Sequence, residues 1–174
     1  MTKTLMAGAV AMALISFGAN AATQGQGKIN FKGTVIDAPC GIAPESADQT
    51  IDFGQISKAH LNSGGISMKK DVAIKLVNCD FGSPVLKNSA QVTFTGTTVG
   101  SDISALGLSD TNAVIKMSGQ DGALVKFDGA TASNVTKLQN GDNTLNYQAW
   151  VQKGVNDVTE GAFTAVANFA MAYN

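Results

Sequence analysis

Gly161-Ala162-Phe163-Thr164-Ala165-Val166-Ala167-Asn168-Phe169-Ala170-Met171-Ala172-Tyr173-Asn174 closes the chain. Phe163, Ala165, Ala167, Phe169, Met171 and Tyr173 recur at every second position, the period of a β-strand with one apolar face. Chain ends are ordinarily frayed and polar, so a chain that stops inside an apolar strand asks for a reason. Two readings stand: a last strand buried in the core, or a strand whose neighbour comes from another molecule. Working outward, Leu145, Tyr147, Ala149 and Val151 alternate with Thr144, Asn146, Gln148 and Trp150. Val92 and Phe94 alternate with polar neighbours, as do Val72, Ile74 and Leu76. Asp121-Gly122 and Asn140-Gly141 are hairpin-type turn signals, because both residue types tolerate positive φ. Short alternating runs separated by such turns predict an all-β sandwich or barrel.

The front of the chain carries a matching oddity. Lys28-Ile29-Asn30-Phe31-Lys32-Gly33-Thr34-Val35-Ile36-Asp37 reads as a strand with Ile29, Phe31, Gly33 and Val35 on one face. A glycine inside an otherwise apolar face marks a place where something approaches the strand closely. Before it, Ala22 to Gly27 is polar and glycine-rich, and earlier still comes an export signal. Lys3 supplies the positive start, Leu5 to Phe17 is almost unbroken apolar sequence, and Ala19-Asn20-Ala21 is the small-x-small cleavage pattern. Residues 1–21 are therefore read as a signal peptide, too short in its apolar part to span a bilayer. The remaining chain of about 150 residues is one domain's worth of sequence. It is exported.

Export gives the two cysteines, Cys40 and Cys79, an oxidising compartment, so a disulfide is expected. The loop it closes, roughly 40 residues, is worth about 4 kcal/mol in the chain-entropy picture. Composition trims the function classes. The 174 residues carry a formal net charge of −1, and every basic residue is lysine. Without arginine or a basic stripe, nucleic acid is not an expected partner. A single histidine, His60, and no second cysteine pair leave no metal-ligand set, and no cofactor is expected. Val72-Ala73-Ile74-Lys75 and Asp52-Phe53-Gly54 echo kinase motifs, but in reversed order and without the arginine of a catalytic loop. No Gly-x-Ser-x-Gly elbow frames a serine for a His60 relay, so His60 reads as a loop or surface residue. Val158-Thr159-Glu160 reads as a solvated loop. No enzyme is expected.

Taken together, the ends, the cysteines and the export signal resemble the chaperone–usher pilins, specifically the rod subunits of P-type (pyelonephritis-associated) fimbriae. Gly25 to Cys40 is similar to that family's N-terminal extension running into its first cysteine. Ile51-Asp52-Phe53-Gly54-Gln55-Ile56 and Leu76-Val77-Asn78-Cys79-Asp80 resemble its next two blocks. Gly161, then Ala167, Phe169 and Met171, then the penultimate Tyr173, resemble its C-terminal signature.

The resemblance implies an incomplete immunoglobulin-like sandwich that lacks its final strand and is completed in trans by a donor strand. Residues 22–38 would be the donor-strand extension and 39–174 the pilin domain. Ile29, Phe31, Gly33 and Val35 would insert into a neighbouring subunit. Gly161, Ala167, Phe169, Met171 and Tyr173 would form the acceptor edge and the chaperone signal. The implied partners are further copies of the chain, other pilins of the same fimbria, a periplasmic chaperone and an outer-membrane usher. The implied location is a cell-surface fimbria, reached through the periplasm, and the implied function is that of a fimbrial shaft subunit supporting cell adhesion. A minor adaptor or terminator pilin is the alternative within the family. Outside it, the alternative is a monomeric, secreted, carbohydrate-binding β-sandwich.

Overall fold

In a computed structural model, residues 27–83 and 87–174 are described. Residues 1–21, read as a signal peptide, and residues 22–26 lie outside that range. The chain divides between Val35 and Ile36 into two units. The described part of the first, residues 27–35, has no regular secondary structure. The strand expected over Lys28–Asp37 is thus not formed in the single chain. A strand exists by pairing, and no ladder runs to these residues.

The second unit is all-β, with two short helices. In chain order its elements are β1 (Gly41–Ile42), α1 (Pro44–Ala47), α2 (Lys58–Asn62), β2 (Lys70–Cys79), β3 (Ser89–Gly96), β4 (Thr98–Val99), β5 (Asp102–Gly107), β6 (Ala113–Gly119), β7 (Asp128–Ala132), β8 (Thr136–Lys137), β9 (Gly141–Lys153) and β10 (Ala167–Tyr173). One sheet has the order β1-β2-β9-β6-β5-β4, and the other β10-β3-β7, with β8 also on β3. Every strand pairing is antiparallel. The inward alternates behave as their period requires. Ile74 and Leu76 of β2, Val92 and Phe94 of β3, and Leu145, Tyr147, Ala149 and Val151 of β9 are all buried. All but Val151 join Met117, Phe127 and Leu138 in the main core between the sheets. Phe94 is its aromatic centre, edge-on to Tyr147 with centroids 5.1 Å apart and to Phe127 at 6.5 Å. Cys40 and Cys79 are bonded, buried at the rim of this core.

A smaller core gathers Leu61, Ala113, Val151 and Val158, flanked by Phe53, Ile56 and Phe163. Val158 therefore corrects the reading of Val158-Thr159-Glu160 as solvated: it is 5% exposed. Asn62 holds it there, accepting from the Val158 amide at 2.8 Å, a link across 96 residues that no local pattern announces. Asp121-Gly122 turns β6 back on itself, with the Gly119 amide donating to the Ala123 carbonyl at 3.0 Å. Asn140-Gly141 does not make a hairpin. It connects β8 in one sheet to β9 in the other, with Gly141 at φ 92° and Asn140 Oδ1 accepting from the Phe81 amide at 3.1 Å.

Candidate functional site

The C-terminal strand is shorter than its sequence pattern. The apolar alternation runs from Phe163, yet the ladder covers only Ala167–Tyr173, from Ala167↔Gly96 to Tyr173↔Ala90. Strand β3 ends at Gly96, so residues before Ala167 have nothing to pair with there. Thr164 turns instead to Ser109, which donates its amide to the Thr164 carbonyl and accepts the Thr164 amide at its hydroxyl, 3.0 Å away. Gly161, at φ 155°, begins this segment.

The face of β10 agrees with its period, but its burial does not match that of a core strand. Phe169, Met171 and Tyr173 point at the main core and pack against it, yet each is only half-buried, while Asn168, Ala170 and Ala172 are exposed. Ala167 is exposed as well. Across the ladder, their partners Phe94, Val92 and Ala90 are 4%, 1% and 1% exposed. Among the described residues, strand β10 has β3 on one side and no strand on the other, so its outer N–H and C=O groups have no ladder partner there. Burial pushes the Tyr173 hydroxyl above its ordinary pKa, as a ring leaning on an apolar core should.

A second segment borders the same core through Phe53. In Ile51–Ile56, Ile51, Phe53 and Ile56 are half-buried while Asp52, Gly54 and Gln55 are exposed. Phe53 borders both cores and lies 6.5 Å, centroid to centroid, from Phe163. Residues 51–56 join no strand, and their backbone makes no backbone–backbone hydrogen bond among those described. The only bond it forms is an Asx turn, in which Asp52 Oδ1 accepts from the Gly54 amide at 2.7 Å. Two apolar segments with unpaired backbone therefore flank one half-covered core. Unpaired strand edges of this kind are where extended strands can add.

The remaining edges are blunted. Strands β1 and β4 have two residues each, and β7 is irregularly paired to β3 and begins at the charged Asp128. Among the described residues, only β10 presents a seven-residue edge without a charged side chain. In the first unit, Ile29, Phe31 and Val35 are 77%, 91% and 101% exposed. A Cβ on Gly33 would meet nothing within 4 Å, so this chain alone gives that glycine no reason.

Among the described residues, no group of His, Cys, Asp and Glu could hold a metal ion, and no helix is long and apolar enough to cross a membrane. His60 lies in α2, exposed, with Nε2 3.0 Å from the Ile66 carbonyl.

The family model described as "Fimbrial protein" matches residues 29–174. The chain belongs to the fimbrial protein family. It is 50% identical to KS71A fimbrillin of Escherichia coli, over 99% of this chain and all of that one. To the Pap fimbrial major pilin protein of E. coli it is 45% identical, with the same coverage. Among solved structures it superposes on a chaperone–usher pilus subunit at a TM-score of 0.81, with 43% identity and coverage of 87% of this chain and 97% of that one. It also superposes on the P pilus rod subunit PapA at 0.73, with 42% identity and coverage of 79% and 100%. The fold is accordingly immunoglobulin-like, and the chain is a structural subunit of a fimbrial shaft at the cell surface, where it polymerises with other pilins.

Proposed function

We propose that this shaft subunit polymerises by donor-strand exchange, with residues 22–38 as the donor and the opening between β10 and Ile51–Ile56 as the acceptor. The observation that carries the reading is the half-buried row Phe169, Met171 and Tyr173 on a strand with one bare edge. A strand laid along that edge satisfies the backbone groups, and its alternate side chains finish the core. Ile29, Phe31 and Val35 bring apolar alternates at the right period, and taking each out of water contributes about 1.5–3 kcal/mol. Gly33 fits a narrow point between them. Donor and acceptor are different surfaces of one molecule, so the contact is heterologous and builds an open fibre.

Until a donor arrives, the bare edge is an aggregation hazard, so a periplasmic chaperone covers it and an outer-membrane usher exchanges it. Phe169, Met171 and Tyr173, led in by Gly161 and Ala167, carry the chaperone signal. The subunit therefore passes through the periplasm to the cell surface and acts by assembly, not as an enzyme. Deleting residues 22–37 tests the division of labour. The shortened subunit is expected to be recovered with chaperone but to form no fibres, whereas fibres of normal length would refute the donor assignment.

A further inference from the structure

We propose that Asn140 is a self-modifying site: in the folded subunit the Gly141 nitrogen displaces the Asn140 side-chain amide, leaving a mixture of aspartate and isoaspartate. Asn140 is the one asparagine in the chain that a glycine follows. Both residues are exposed, so water reaches the reacting atoms. The attacking nitrogen carries no side chain beside it, and a Cβ built at Gly141 would meet nothing within 4 Å.

The crossover between the sheets treats the two ends of the Asn140 amide differently. Its Oδ1 accepts from the Phe81 amide at 3.1 Å, whereas its Nδ2 donates no bond among the described residues. Negative charge develops on Oδ1 when a nitrogen adds to Cγ, and a fixed N–H already aimed at that oxygen stabilises it. The leaving end is the one in solvent. Asn143 holds the loop on both sides. Its Oδ1 accepts from the Gln139 amide at 3.1 Å, and its Nδ2 donates to the carbonyls of Gln139 at 2.7 Å and Gly141 at 3.4 Å. Gly141 itself is the end of the β2–β9 ladder, opposite Cys79 and past a register shift after Leu76. Fraying of that single end pair bares its nitrogen, the kind of local opening that ladder ends undergo most readily.

The step balances with water as the co-reactant. Solvent base takes the Gly141 proton, the nitrogen bonds to Cγ, and Nδ2 leaves as ammonia, closing a succinimide ring. Water then opens the ring. Breaking the bond from nitrogen to Cγ gives aspartate, and breaking the bond from nitrogen to the main-chain carbonyl carbon gives isoaspartate. The second product runs the backbone through the side chain and lengthens it by one methylene. That insertion falls between Gly141 and the buried Leu138, whose amide donates to the Asn88 carbonyl at 2.7 Å. Leu138 and Phe81 both belong to the main core, so isoaspartate loosens this end of the sandwich. Aspartate does not, because its carboxylate still accepts from the Phe81 amide.

The test keeps assembled wild-type fibres of the full chain in neutral buffer made with heavy-oxygen water, then digests them in ordinary water for peptide mapping by mass spectrometry. An isoaspartate-specific methyltransferase marks the second product. Heavy oxygen is expected to enter at Asn140 ahead of every other asparagine, with isoaspartate present, and the urea resistance of the fibres should fall as isoaspartate rises. Fresh Asn140→Asp fibres should match unaged wild type in urea. No label at Asn140 in the fibres would overturn the proposal, and label there in a urea-unfolded control would show that the fold protects the amide instead. Label reaching another asparagine first, or label at Asn140 without isoaspartate, would also overturn it. Fresh Asn140→Asp fibres as weak as aged ones would refute the lengthened backbone as the cause of the loss.

Discussion

Lys116 is the clearest case of a residue whose role is set by its surroundings. Its side chain is 9% exposed, and Nζ lies 2.5 Å from Asp102 Oδ2 and 2.6 Å from Ser104 Oγ. Hydrogen bonds from Lys116 and then Ser104 hold the Asp102 carboxyl down at about 2. A carboxylate with a depressed folded pKa contributes stability above its unfolded value, near 3.8, and loses it as pH falls through about 2. Asp102→Asn should therefore weaken fibres against urea at pH 7, and the gap to wild type should close between pH 4 and 2. The check is a set of dissociation midpoints in urea across that range, and a constant gap would contradict the assignment. In the core, Phe127 is 2% exposed and meets Phe94 edge-on. Phe127→Ala should cost about 3–5 kcal/mol, read from the same urea midpoints. At the proposed donor, Gly33→Lys should abolish fibres while leaving the chaperone-bound subunit intact, as gel filtration of periplasmic extracts would show. Fibres from that variant would mean that no tight approach occurs at Gly33.

At the scale of elements, β10 carries the account. Its inner residues continue a core that stops halfway, and its outer edge has no ladder. Tyr173→Ala should lower recovery of chaperone-bound subunit by removing apolar surface from the acceptor, and unchanged recovery would count against that role. The sequence made this element legible because period-2 alternation survives wherever one face is buried. The same logic located β2, β3 and β9, whose inward residues are the buried ones. It overran at Phe163 to Val166, because alternation reports a face and not a partner, and β3 ends at Gly96. It overran again at Lys28–Asp37, where no strand forms in the single chain and the proposed donor strand would need a neighbour. Val158 was illegible for another reason: its burial depends on Asn62, far away in sequence. The second wall, Ile51–Ile56, showed only as a resemblance, because nothing in its residue pattern says that its backbone is left unpaired.

At the scale of the molecule, the described residues leave one long bare edge, along β10, and one long unpaired apolar segment, residues 29–35. Both are unfavourable in a monomer, and on the proposed donor-strand reading each is relieved by the other in a neighbouring copy. A sandwich finished this way depends on its neighbours for stability, so fibres should outlast free subunits by a wide margin in denaturant. The central claim is that residues 22–38 of one copy complete the sheet of the next. It is tested most directly by running unboiled, purified fibres on a denaturing gel beside fibres from the Phe31→Asp chain. The account predicts a ladder of multimers for the wild type that collapses to a single band on boiling, and no ladder for the variant. A lone monomer band from the unboiled wild type, or an undiminished ladder from Phe31→Asp, would contradict it.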